Sequence, residues 1–330
     1  MSYPSRPPAD AAPVTGSPRG DLADLLADPA AHGPVITAEC PAVDSGGISA
    51  VAAHVARLAP HADAINATDN PAARAHVSNV AMAIAIKQLG AQPILQVACR
   101  DKNRLALEAD IVGAALHGIT AVCCMTGDDV TAGDEPEARR VFDLDSPQLI
   151  RAASSLAKGC YLSGRALDPA PPLFIGAVEN PAAPPFAYRV RRGLKKAAAG
   201  ARFLQLQICY HPDRLAEFAE LARDSGLTPR VALLPTIALL KGSRALRYMT
   251  ANVPGIHIPE PVIERVENAA DPGEAAYRLA LEQAEHALSL PGVRGLHIAD
   301  FRHDDTIARL RSDLGLPAAH SAPDTDALTV

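Results

Sequence analysis

The stretch QPILQVACRDKNRLALEADIVGAALHGITAVCCMTGD, Gln92–Asp128, contains one full repeat of the chain's architecture. QPILQVAC is a short apolar run interrupted by little polarity, the composition of a strand buried on both faces. RDKNRLALEADIVGAALHG follows with apolar residues at helical spacing, and Gly118 stands where a helix C-terminus favours a left-handed residue. AVCCMTGD then returns to strand. The same kind of run recurs at VITAEC (Val35–Cys40), ADAINATD (Ala62–Asp69), LFIGAVEN (Leu173–Asn180), FLQLQI (Phe203–Ile208), RVALLPTI (Arg230–Ile237) and RGLHIADF (Arg294–Phe301). Eight strand–helix units predict an α/β chain folded as a (β/α)8 TIM barrel. Active sites in that fold lie at the C-terminal ends of the strands, which selects Glu39, Thr68, Asp69, Gln96, Asp128, Asn180, Gln207 and Asp300.

A chain of 330 residues with 48% hydrophobic content can bury one large core, and α/β barrels often reach this length as a single domain. The expected division is a disordered extension over 1–20, a barrel over 21–316 and a loose tail over 317–330. DLADLLADPAA (21–31) reads as a short leading helix. A net charge of −6 provides no broad basic surface, so nucleic acid is not an expected partner. No apolar run reaches the roughly 18 residues of a membrane span, and the first twenty residues lack a signal-peptide core, so the expected location is cytoplasmic. The six cysteines show no metal-ligand spacing and cluster in the strands, which reads as buried thiols in a reducing compartment.

Several residues could carry chemistry. Glu39 ends an apolar strand, where burial raises a carboxyl pKa and favours a protonated acid. Asp128 and Asp129 follow Gly127, which permits a tight turn and close approach to a ligand. They could bind a metal or the N–H edge of a heterocycle, or simply be solvated. Gln207 and Gln205 share one face of their strand by period two, so either could meet a pterin-like edge or be a satisfied core amide. Lys195 and Lys196 lie near a helix C-terminus, consistent with a dipole interaction or with phosphate binding. Asn70 and Pro71 are expected to open a helix running to about Leu89, and Ser146 to cap the helix after strand four. His211 and His297, the histidines near strand ends, read as structural. There is no Walker A motif and no GxGxxG.

These segments together resemble the 5,10-methylenetetrahydrofolate reductase family. The likeness runs from about Val35 to Leu316 through ITAEC, DAINATDNPAAR, PILQVACRDKN, MTGDDVTAGDEPEARRVFDLDS, GAVENP, KKAAAGARFLQLQICYHPDRL, LLPTIALLKGSRAL and VPGIHIPEPVIERV. The resemblance implies that Glu39 is the acid that opens the methylene bridge. It implies that Asp128 contacts the pterin and tunes a flavin, and that Gln207, with Gln205 beside it, binds the pterin. Thr68, Asp69, Gln96, Thr126, Gly127, Asp128, Asn180 and Lys196 would line the cofactor site. The cofactor implied is FAD, with NADH or NADPH as hydride source, a tetrahydrofolate derivative as substrate, a role in methionine biosynthesis and a possible homo-oligomer. The chain departs from the family pattern at four places. Thr126 stands for the arginine of RGD, Gln96 for a histidine, and Gly176 and Asn180 for a tyrosine and a histidine. These departures bear on the flavin. Alternatives are direct hydride transfer from NADH to the folate, a pterin-dependent methyltransferase, and a non-catalytic pterin-binding partner subunit.

Overall fold

In the computed structural model, which describes residues 18–253 and 255–320, eight parallel strands close into a barrel in chain order. They are β1 (Val35–Glu39), β2 (Ala64–Ala67), β3 (Pro93–Ala98), β4 (Ala121–Met125), β5 (Phe174–Glu179), β6 (Phe203–Leu206), β7 (Ala232–Leu239) and β8 (Gly295–Asp300). Closure is made by β1 on β8, with Thr37 opposite His297. The fold is the expected TIM barrel.

Side chains alternate across the strands. One set packs outward on the helices: Ile36, Ile65, Leu95, Val122, Ile175, Leu204 and Leu233 belong to the main core. The other set fills the barrel. Val35, Ala64, Ile94, Ala121, Phe203, Ala232 and Leu234 form a separate inner cluster, joined by Leu22, Leu25 and Leu26 of the leading helix Leu22–Ala27. That helix therefore plugs the floor of the barrel. Above this apolar layer the inward positions become polar: Thr37, Asn66, Gln96, Gln205 and His297 are all buried.

Three local expectations need correction. Asn70 and Pro71 do not open the long helix; it begins at Asn79, and Asn70, Ala72 and Ala73 have positive φ in a short turn at the barrel mouth. The helix after β4 is capped by Asp145 rather than Ser146, with Asp145 and Gln148 forming a reciprocal capping box. Packing also extends past the expected domain edges. Arg19 ion-pairs with Asp63 at 2.6 Å, its N–H donates to Ala319 O at 3.1 Å, and Ala319 and His320 are buried. The outer parts of the 1–20 and 317–330 segments lie outside the described residues. All six cysteines are free, four of them buried. Burial pushes the Cys40, Cys99 and Cys123 thiols up to about 12, so they are unreactive.

Candidate active site

A cavity of about 510 Å³ opens at the C-terminal mouth of the barrel. Its lining brings together Glu39 from β1, Gln96 from β3, Thr126, Gly127 and Asp128 after β4, Asn180 after β5, Gln207 after β6 and Lys196 from the helix Phe186–Ala199. Residues more than 150 positions apart in sequence converge because each lies at the top of its own strand.

Glu39 projects into the cavity with its side chain 38% exposed, and its Oε1 lies 3.8 Å from His297 Nε2. Burial raises the carboxyl pKa, but the imidazole of His297 and the amide of Gln96 lower it and prevail, so the net direction is down. Glu39 is therefore ionised in the open site, contrary to the expectation of a protonated acid: the partner outweighs the desolvation.

Beneath Glu39 the lumen is sealed by amides. Asn66 Nδ2 donates to Gln205 Oε1 at 2.9 Å, and Gln205 Nε2 donates back to Asn66 Oδ1 at 3.1 Å. Cys123 Sγ also faces Gln205 Oε1, at 3.5 Å. Gln205 lines the floor of the cavity with its amide already paired, and Gln207, two residues on, lines it as well. Its Oε1 accepts from Ile208 N at 2.9 Å.

The two adjacent carboxylates after β4 part company. Asp129 turns outward to Arg140 at 2.7 Å and caps the following turn through Thr131. Asp128 is exposed on the cavity wall. Gly127 has φ +90°, the left-handed backbone that makes the turn. Thr126 Oγ1 accepts from Ser146 N at 3.2 Å and so closes the base of the long loop. An arginine does line this wall, but from the β3 loop. Arg100 is buried, holds Asp101 at 2.7 Å through two nitrogens and donates to Asn70 O at 3.0 Å.

On the β5 side Glu179 is buried against three cations: Lys196 at 2.7 Å, and Arg189 and Arg192 each at 3.5 Å. Three positive groups face one carboxylate, which leaves an excess of positive charge beside the cavity. Lys196 is itself 1% exposed and also donates to Val178 O. Burial lowers its pKa, and Glu179 opposes that.

Other expected site residues do different work. Thr68 is buried and does not line the cavity. Asp69 lines it but accepts from Lys102 at 3.2 Å and from Ala98 N at 2.9 Å, a clamp between loops. Asp300 is tied to Arg57 and caps Arg302 N and His303 N, and it does not line the cavity. Asn180 lines the cavity while bridging to Gly255 O at 3.1 Å. Among the described residues no cluster of three or more His, Cys, Asp or Glu could hold a metal ion, and no helix is long and apolar enough to cross a membrane.

The family model for methylenetetrahydrofolate reductase matches residues 40–315 of this sequence. The chain belongs to the methylenetetrahydrofolate reductase family. No curated protein matches the sequence significantly. Among solved structures the chain is similar to an uncharacterized protein from Clostridium thermocellum that binds two copies of 5-methyl-5,6,7,8-tetrahydrofolic acid. That likeness has a TM-score of 0.63 at 13% identity and covers 89% of this chain and 98% of that one. It is also similar to EDTA monooxygenase from Chelativorans sp. BNC1, with a TM-score of 0.48 at 10% identity, over 86% of this chain and 98% of that one.

One departure from the methylenetetrahydrofolate reductase pattern has a packing cause. A Cβ on Gly176 would lie 2.2 Å from the ring of Phe203, so the ring occupies the space a side chain there would need. The site residues that sequence reasoning undervalued are His297, Glu179, Arg100 and Arg192. Strand parity could have found His297: it shares the inward face of β8 with Ala299, and Ala299 lines the cavity. Glu179 carried no such signal, because its pairing with a helix four turns long is visible only in three dimensions.

Proposed function

We propose that this chain reduces 5,10-methylenetetrahydrofolate to 5-methyltetrahydrofolate with NAD(P)H as hydride source and FAD as carrier. The observation that carries the reading is the convergence of Glu39, Asp128 and Gln207 on one cavity in a chain of this family. Asp128 offers a carboxylate, and Gln207 an amide that both donates and accepts, a pair suited to the N–H and C=O edge of a pterin. The binding of methyltetrahydrofolate by the Clostridium thermocellum protein is in keeping with such a ligand.

Opening the five-membered ring breaks the bond between N10 and the methylene carbon. N10 takes a proton and the carbon remains as a cationic iminium on N5. Glu39, on the cavity wall at the end of β1, is the group to supply that proton, and its carboxylate then faces the cation. Hydride addition to the methylene carbon completes the methyl group. The order of the two events follows from charge: the carbon accepts hydride only after its bond to N10 is broken.

FAD, when bound, would take hydride from NAD(P)H and pass it on. The residues on the β5 side fit a dinucleotide's diphosphate by charge, with Arg192 and Arg189 as the groups that would hold it. Lys196, committed to Glu179, supports that corner from behind instead of contacting phosphate. Direct transfer from NADH is the second reading. It is favoured by Gly176, where the Phe203 ring takes the space a side chain would fill.

The test is an absorbance spectrum of the purified protein before and after FAD is added and the excess removed, followed by an assay of NAD(P)H oxidation. Flavin bands that bleach with NAD(P)H and return with methylenetetrahydrofolate support the flavin route. A colourless protein that oxidises NADH only with methylenetetrahydrofolate supports direct transfer. Absence of folate-dependent NAD(P)H oxidation in either form would overturn the proposal.

A further inference from the structure

We propose that His297 is a positioning residue for this reaction, acting through Glu39, and that Gln205 and Thr37 hold its ring in place. The inference rests on the acid role assigned to Glu39 above. His297 is 3% exposed and sits directly under the carboxyl, with Nε2 3.8 Å from Glu39 Oε1. Its other nitrogen, Nδ1, lies 2.9 Å from Thr37 Oγ1 and 3.3 Å from Gln205 Nε2. Gln205 is itself held by the reciprocal amide pair with Asn66, and Thr37 Oγ1 also donates to Leu296 O at 3.4 Å. Nε2 is the ring nitrogen on the Glu39 side. Four residues from β1, β2, β6 and β8 thus set one imidazole beside one carboxylate. Such carboxylate–donor distances shorten when a ligand closes the site.

The consequence is a carboxylate held ionised and in one orientation while the mouth is open. A bound pterin covers the exposed part of Glu39 and removes its remaining contact with water, which favours proton uptake by the carboxyl. The groups facing Glu39 are His297 from β8, the neutral amide of Gln96 from β3, and the thiols of Cys40 and Cys123, which burial keeps uncharged. His297 is therefore the group among them whose removal changes the carboxyl's proton affinity most.

The experiment is a carbon-13 NMR titration of side-chain carboxyl-labelled glutamate in the ligand-free protein, with the Glu39 signal assigned by its loss in Glu39→Gln. The native midpoint is expected below the ordinary glutamate value of 4.5. His297→Ala is expected to move it up by about one pH unit, the scale of one nearby charged or donating partner. His297→Gln, which keeps an N–H donor, is expected to fall between, and it carries the test if the alanine variant does not fold. In the reductase assay, the alkaline limb of kcat/KM should move up in the same order. A Glu39 midpoint unchanged by either substitution overturns the inference. A shifted midpoint in a protein without reductase activity would reject the proposed function and leave the His297–Glu39 relationship standing.

Discussion

Glu179 and Lys196 form an ion pair at 2.7 Å in which each side chain is only 2% exposed. Arg189 and Arg192 also lie 3.5 Å from Glu179, so the two partners are not equivalent: the glutamate has other cations and the lysine has no second carboxylate at hand. Removing one member of a buried pair leaves the other without compensation, at a cost of about 3–5 kcal/mol. Glu179→Gln is therefore expected to lower the melting temperature by on the order of 10 °C, using the slope of larger domains. Lys196→Met should cost clearly less. Calorimetry on both variants checks this, and a Glu179→Gln protein as stable as the parent would contradict it.

Glu39→Gln preserves size and hydrogen-bonding capacity but cannot deliver a proton. Turnover should fall by about a hundredfold or more, the usual weight of one general acid. Binding of 5-methyltetrahydrofolate, measured by calorimetry, should change little. If turnover survives the substitution, Glu39 is not the acid.

Gly176→Ala places a methyl group where the Phe203 ring already lies, 2.2 Å from the new carbon. Overpacking of this kind costs about 1–3 kcal/mol. The double variant with Phe203→Leu should recover part of the loss. Chemical denaturation of the two proteins reads the coupling, and simple additivity would mean that the ring moves aside without strain.

His320 is buried, and desolvation, the largest cause, holds its pKa below the ordinary 6.5. The unfolded chain then binds a proton that the folded chain does not. The stability linked to this residue is complete above about pH 6.5 and is lost as the pH falls below it. His320→Gln should flatten that part of the stability–pH curve. An unchanged slope between pH 5 and 7, on the order of one unit either side of a histidine's range, would exclude the residue as a source of acid sensitivity.

The barrel was legible because its signal is local and repeated: each strand is a short apolar run and each helix an amphipathic one. Strand ends then pointed to Glu39, Gln96, Asp128 and Gln207, all of which reach the cavity. The same rule also selected Thr68, which is buried off the cavity, Asp69, which is held by Lys102 and Ala98 N, and Asp300, which is held by Arg57. Position along a strand tells how high a residue sits, and it does not tell which partners it meets. The charge of Glu39 was misjudged for the same reason. Burial is readable from an apolar neighbourhood, whereas His297 lies 258 residues away in sequence and meets Glu39 only when β8 closes on β1.

At the opposite end of the barrel, Asp63 receives Arg19 at 2.6 Å and Arg311 at 3.4 Å, and Arg19 N–H reaches Ala319 O at 3.1 Å. Arg19 also grips the start of β1 through Pro34 O at 2.9 Å. Two stretches nearly 300 residues apart are thereby moored side by side on the floor, a full strand's length from Glu39. A fluorophore, a solid support or a fused protein attached near either stretch would hang away from the mouth. A short peptide joining them, with new ends cut in a helix loop, would yield a permuted chain whose catalytic rim is untouched.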